Sequence, residues 1–145
     1  MIYILSDIHG NQRRFQSIMA QIHLQEADTL YVLGDVIDRH PEGISILRQI
    51  MAMPNAKMLL GNHEYMMLRA LGAPCDDNID TGTALPHWYR NGGEVTHDSW
   101  NRLQDNEKAE IIQYLHSLPL SYDVQLGSTH YKLVHGAPAE DFVSN

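Results

Sequence analysis

Apolar and polar residues alternate along the first half of the chain in blocks that predict strands and helices in turn. Apolar runs at positions 1–5, 29–33 and 57–60 have the length of strands. From Asn11 to Leu24 the apolar side chains instead follow the i, i+3, i+4, i+7 spacing of one helical face: Phe15, Ile18, Met19 and Ile22. Further helices are predicted from Pro41 to Met51 and from Glu64 to Leu71. Strands that alternate with helices in this way indicate βαβ units and a parallel sheet.

The second half of the chain has a different pattern. Residues 72–82 are predicted to form a loop, and a short helix is predicted from Leu85 to Asn91. Its aromatic residues Trp88 and Tyr89, with His87, either line a substrate groove or pack in the interior. A longer helix begins near Asp105, and its apolar stripe is Ile111, Ile112, Leu115 and Leu118. Gly127 and Ser128 separate two strand-like segments, which is typical of a β-hairpin.

Composition and charge exclude several classes of protein. The 145 residues include 18 Asp and Glu against 10 Lys and Arg, and the net charge of −8 opposes binding to nucleic acid or to an anionic membrane. No apolar stretch approaches the roughly 18 residues of a membrane helix, and the first residues lack the pattern of a signal peptide. The single cysteine, Cys75, fits a reducing compartment, so we expect a cytoplasmic protein. The length favours one α/β domain over residues 1–145.

Polar side chains follow the predicted strands at the points where the strands end. Asp7 and His9 follow the first strand, Asp35 the second, Asn62 the third, and His135 the second strand of the hairpin. Asp7, Asp35 and Asn62 are separated by intervals close to the ~30 residues of one βαβ unit, so the side chains at these strand ends should meet at one edge of the sheet. Each short motif alone is also common in turns. Four of them on successive strand ends predict a shared site.

The residue types at this edge predict a metal centre. Asp7 and His9 are two positions apart and would point the same way in an extended segment, which suits chelation of one cation. Asp35 could bridge to a second cation held by Asn62 and His135. Carboxylate, imidazole and amide ligands together suit a divalent first-row metal such as Mn, Fe or Zn better than calcium.

Three further residues at this edge have the chemistry of phosphoester hydrolysis. Asp38 can orient the imidazole of His63, which could then protonate a leaving oxygen. The planar guanidinium of Arg39 can hold two phosphate oxygens. Two cations at close spacing would lower the pKa of a bridging water, whose in-line attack on phosphorus needs no Ser or Cys nucleophile.

With these residues the chain resembles the phosphoprotein phosphatase family of the metallophosphoesterase superfamily. The matching strings, in family order, are SDIHGN, GDVIDR, GNHE and LVHGA. The WYRNGG segment and the two methionines after GNHE resemble the bacterial and phage Ser/Thr phosphatases. The resemblance implies the calcineurin-like αββα sandwich, two manganese ions on the residues named above, and a phosphorylated protein or small phosphoester as substrate.

Two substitutions in the motifs bear on substrate contacts, and two residues bear on the branch of the family. Leu60 stands where an arginine often precedes GNHE, and His40 stands where a glycine often follows GDxxDR. Asp38 and Glu64 favour the protein phosphatases over the similar diadenosine tetraphosphate hydrolases, which remain the alternative enzyme.

Family members continue to a second phosphate-binding arginine and to a Gly-His motif whose histidine completes the second metal site. The sequence ends at Asn145, ten positions after His135. We therefore expect the N-terminal part of a longer phosphatase, with its last strands missing. A truncated metal-binding domain with little activity, and a homo-oligomer formed through an exposed sheet edge, are further hypotheses.

Overall fold

The computed structural model describes residues 1–74 and 82–135, which contain six helices and five strands. In chain order these are β1 (Ile2–Leu5), α1 (Gln12–Ile22), β2 (Thr29–Val32), α2 (Gly43–Met51), β3 (Ala56–Met58), α3 (Asn62–Ala70), α4 (Ala84–Arg90), α5 (Glu94–Asn101), α6 (Asp105–His116), β4 (Ser121–Leu126) and β5 (Thr129–Val134).

The first three strands form the parallel sheet that the alternating pattern predicts. Their order is β1-β2-β3, with Ile2 opposite Thr29 and Leu30 opposite Ala56. The central strand β2 is buried, as a strand between two others and beneath helices should be. β1 is an edge strand, and its Ile4 is 52% exposed.

The predicted helices are present, with differences at some of their ends and one further helix. α2 begins at Gly43, two residues later than predicted. α3 begins at Asn62, two residues earlier than predicted, so the GNHE string forms the start of the helix. α5 was not predicted, because its two buried residues, Thr96 and Trp100, give too weak a periodicity. Most of the predicted loop at 72–82, including Cys75, lies outside the described residues.

The predicted hairpin is also present. β4 and β5 pair antiparallel, and Gly127 takes a φ of 61° in the turn between them. The backbone N–H of Leu60 donates to the carbonyl of Pro119 at 3.0 Å, and the ring of Tyr122 contacts that of Tyr31. These contacts join the hairpin to the β3 end of the parallel sheet.

One hydrophobic core connects the parallel sheet with the helices. Its largest fully buried side chains are Trp88, Phe15, Ile8, Leu30, Ile37, Ile46, Leu47, Ile50, Met58, Leu59, Met67 and Leu68. Many of them flank the loops that carry the polar residues, so packing on both sides fixes the positions of these loops. Within residues 1–74 and 82–135, no helix has the length and apolar character needed to cross a bilayer.

Candidate metal centre

The loops after β1, β2 and β5 bring four of the five predicted metal ligands together. Among the described residues, two groups of three side chains each offer one ligand atom per residue, and the atoms of a group lie within 4.8 Å of one another. One group is His9, Asp35 and His63, and the other is Asp7, Asp35 and His135. Asp35 belongs to both groups, which is the central position that the sequence predicts for it. The other members are distributed differently from the prediction, because Asp7 lies with His135 rather than with His9, and His9 lies with His63.

Asp7 and His9 reach this site by a different backbone from the one expected. Both have positive φ, 56° and 48°, whereas the prediction that they face the same way assumed an extended segment. His9 Nε2 still lies 3.8 Å from a carboxylate oxygen of Asp7. The backbone N–H of His9 donates to the carbonyl of Asp35 at 3.0 Å, which holds this left-handed turn against the β2 loop.

Asp35 is buried, and both of its carboxylate oxygens have partners. Oδ2 lies 2.7 Å from His135 Nε2, and Oδ1 accepts from the backbone N–H of His63 at 3.0 Å. Burial opposes ionisation, but the hydrogen bonds from His135 and His63 outweigh it and keep the pKa of Asp35 below its usual value. The carboxylate is therefore charged and available as a ligand at neutral pH.

His9 and His135, the two histidines predicted as metal ligands, each have one ring nitrogen held by a neighbouring group. His9 Nδ1 donates to the carbonyl of Ile37 at 3.0 Å, which leaves Nε2 directed at Asp7 and Asp35. His135 Nδ1 lies 3.3 Å from the hydroxyl of Ser6. The hydrogen bond to Asp35 raises the pKa of His135 despite its partial burial, so a cation at this place competes with a proton.

These residues fit divalent metal ions. The donor set combines carboxylate oxygens with imidazole nitrogens, and the bonds to Ile37 and Ser6 orient the rings as metal-binding histidines require. Asn62 lies at the first turn of α3 and lines the same cleft as Asp35 and His63. Its predicted place as a ligand of the second cation stays a prediction.

Asp38 and His63, which the sequence predicts as an acid pair, are hydrogen-bonded to each other. Their side chains are buried, and His63 Nδ1 donates to Asp38 Oδ2 at 2.7 Å. Burial opposes the charge on His63, but the bond to Asp38, together with the charges of Asp35 and Glu64, raises the pKa of His63 above its usual value. The bond to Asp38 thus favours the protonated, charged form of the imidazole.

Arg39 lies beside this pair in an open cleft of about 510 Å³. The cleft is lined by Asp35, Arg39, Asn62, His63, Tyr65, Met66, His87 and Asn91. Arg39 also has a positive φ, 74°, and its backbone N–H donates to the carbonyl of Gly92 at 2.9 Å. Arg39 therefore lines the same cleft as His63 from a backbone held by Gly92.

Three residues that hold this site were not given this role from the sequence. The Glu64 carboxylate accepts backbone N–H bonds from Asp35, Val36 and Gly61 at 2.7–3.1 Å. Trp88 donates to the carboxylate of Asp38, and Thr96 accepts from the backbone N–H of Asp38. Glu64 and Trp88 both lie in strings already noted, GNHE and WYRNGG, but a string does not show which backbone groups a side chain reaches.

The sequence profile of the calcineurin-like phosphoesterases matches residues 1–143. The chain belongs to this family. Its relatives include a Ser/Thr protein phosphatase 2 of Escherichia coli, 32% identical over 92% of this chain and 57% of that protein. They also include a symmetrical bis(5'-nucleosyl)-tetraphosphatase of Nitrosococcus oceani, 31% identical over 96% of this chain and 45% of that protein.

A solved structure agrees with this fold. A metallophosphoesterase from Sphaerobacter thermophilus superposes with a TM-score of 0.53 at 24% identity, covering 83% of this chain and 42% of the other. The predicted metallophosphoesterase fold is thereby confirmed. The chain spans about half the length of the curated relatives it matches.

Proposed function

We propose that this phosphoesterase hydrolyses phosphate monoesters with two divalent cations, manganese being the first candidate, and that its substrate is a Ser/Thr-phosphorylated protein. One observation carries the proposal. Asp35 is shared by two groups of side chains that could hold a metal ion, and His63, which is bonded to the buried Asp38, lines the same cleft as Arg39. Metal ligands, an acid and a phosphate-binding cation are what this reaction requires.

Asp7, His9 and Asp35 would hold one cation, and Asp35, Asn62 and His135 the other. Bound cations polarise the phosphoryl group and lower the pKa of a water molecule. The orientation of His9 by Ile37, and of His135 by Ser6, supports this assignment because each ring presents Nε2 to Asp35.

His63 and Arg39 would act on the substrate itself. As a water oxygen forms its bond to phosphorus, the ester P–O bond breaks and its electron pair remains on the leaving oxygen. His63 Nδ1 is bonded to Asp38, so Nε2 is the nitrogen that gives its proton to that oxygen. Arg39 would bind two oxygens of the phosphoryl group through its guanidinium.

The substrate class rests on two residues and on the relatives. Asp38 and Glu64 favour a protein phosphatase, and the E. coli relative carries that name. The second candidate is hydrolysis of a dinucleoside polyphosphate, because a relative of nearly equal identity is a tetraphosphatase. The negative charge of the chain opposes nucleic acid as a partner.

Location and assembly complete the proposal. The single cysteine supports a cytoplasmic protein. The exposed apolar side chains Ile4 on the edge strand β1 and Tyr131 and Val134 on β5 support association of copies through a sheet edge.

The test is phosphate release from three substrates by the full chain with and without manganese. p-Nitrophenyl phosphate, a phosphoserine peptide and diadenosine tetraphosphate are compared for wild type, Asp35→Asn, and the surface control His130→Ala. Manganese-dependent release from the first two, lost in Asp35→Asn and kept in His130→Ala, supports the proposal. Preference for the dinucleotide favours the second candidate. Metal binding without hydrolysis of any substrate overturns both, and favours a metal-binding domain.

A further inference from the structure

The indole of Trp88 donates a hydrogen bond to the acid pair. Trp88 on α4 is fully buried, and its Nε1 lies 2.9 Å from Asp38 Oδ2. This is the same oxygen that accepts from His63 Nδ1 at 2.7 Å. The other oxygen, Oδ1, is buried and has no hydrogen-bond partner among the described residues. The rotamer of Asp38 is therefore set at Oδ2, by Trp88 and His63 together.

The backbone around Asp38 depends on the same segment of the chain. Asp38 has a φ of 78°, which L-residues rarely adopt, and its N–H donates to Thr96 Oγ1 on α5 at 2.9 Å. The backbone of Arg39 is held by the carbonyl of Gly92. The α4–α5 segment thus holds both the main chain and the side chain of this strained turn.

Gly93 makes room for the indole. A Cβ atom at this position would lie 2.4 Å from three atoms of the Trp88 ring, including Nε1. The ring therefore rests directly on the Gly93 backbone, whose N–H donates to the Trp88 carbonyl at 3.0 Å. Any side chain at position 93 would displace the nitrogen that reaches Asp38.

We propose that Trp88 is a positioning residue of the reaction, which acts through Asp38 to keep His63 aligned with the leaving oxygen. The proposal rests on the proposed function for its catalytic part. Because Trp88 also donates to Oδ2, the carboxylate of Asp38 cannot rotate to present Oδ1 to His63 without breaking this second hydrogen bond. The imidazole of His63 therefore keeps one orientation. Trp88 touches no substrate itself, because it is buried behind Asp38.

Leaving-group dependence separates this role from a general structural one. A nitrophenolate leaves with little help from an acid, whereas phenolate needs a proton. Trp88→Phe should therefore lower kcat by about tenfold for phenyl phosphate and much less for p-nitrophenyl phosphate, with KM unchanged. In a His63→Asn background, Trp88→Phe should no longer lower kcat more for phenyl phosphate than for p-nitrophenyl phosphate. Trp100→Phe, which removes the chain's other buried tryptophan, is the matched control.

A second measurement on the metal-free chain does not depend on activity. Asp38→Asn should shift the Trp88 indole N–H resonance, and Trp88→Phe should shift the imidazole resonances of His63, while Trp100→Phe should do neither. Equal losses for both substrates, or unmoved resonances, would overturn the proposal. Moved resonances in a chain that hydrolyses no phosphoester would uphold the link from Trp88 to His63 and refute the proposed function instead.

Discussion

The carboxylate of Glu64 accepts a hydrogen bond from the backbone N–H of Asp35 at 2.7 Å. The same carboxylate also accepts from Val36 and Gly61, and all of these groups are buried. Glu64 thus ties the start of α3 to the turn that presents the shared ligand Asp35. Burial, together with the charge of Asp35, raises the pKa of Glu64 to about 7, against the effect of the backbone bonds.

Replacing Glu64 by Gln should weaken both the fold and metal binding. The amide NH₂ group would face backbone donors, so at least one buried N–H would lose its acceptor. We expect the free energy of unfolding to fall by about 2 to 4 kcal/mol in denaturant titration. Because the turn around Asp35 would loosen, manganese affinity should fall by about 10- to 100-fold in calorimetry.

Glu110→Gln is the control, since it makes the same chemical change at an exposed position on α6. It should leave both quantities within error of wild type. A Glu64→Gln protein with unchanged stability and affinity would show that the carboxylate does not hold the turn.

Gly10 is required where the β1 loop passes α2. Its φ is 68°, and a Cβ atom would lie 2.3 Å from the carbonyl oxygen of His40. Gly10→Ala therefore adds a backbone clash to the ~1 kcal/mol of left-handed strain. Gly127 has a similar φ of 61° but open space around it, so Gly127→Ala carries the strain alone. In thermal and denaturant unfolding, Gly10→Ala should be less stable than Gly127→Ala by about 1 to 3 kcal/mol; equal losses would contradict the clash.

The parallel sheet and the polar strand ends could be predicted from the sequence because both depend on local pattern. Apolar runs of strand length identify β1, β2 and β3, and the residue after each run must lie at the carboxyl edge. Asp7 and Asp35 follow from this rule, and their side chains do meet. His135 joins them from the antiparallel hairpin, to which a rule for parallel strands does not apply.

The supports of the site could not be predicted in this way. Trp88 reaches Asp38 across 50 positions, and Glu64 reaches Asp35 across 29. Such contacts depend on how α3 and α4 pack, which no local pattern determines. The left-handed turns at Asp7, Asp35 and Asp38 were missed for the same reason, because tertiary hydrogen bonds impose a conformation that these residues do not prefer.

The pKa of His63 should depend on Asp38. The raised pKa means that the pair stabilises the metal-free fold fully below the usual pKa of about 6.5, and that this stabilisation is lost as the pH rises through the folded value. Asp38→Asn removes the negative charge, so the pKa of His63 should fall. NMR titration of the His63 imidazole in the metal-free chain measures this directly, with exposed His130 as the internal reference. An unchanged His63 titration would contradict the ion pair.

Metal stoichiometry should distinguish the shared ligand from an unshared one. Asp35 belongs to both groups of ligand atoms, whereas His135 belongs to one. His135→Ala should therefore reduce manganese binding from two ions to one per chain, and Asp35→Asn should weaken both, each by at least ~10-fold. Calorimetric titration, with ion counting after gel filtration, gives these numbers, and His130→Ala on the same strand β5 should still bind two. If Asp35→Asn kept one site at full affinity, Asp35 would be a ligand of a single cation. The other site would then have to form without Asp35, from Asp7, His9 and His63.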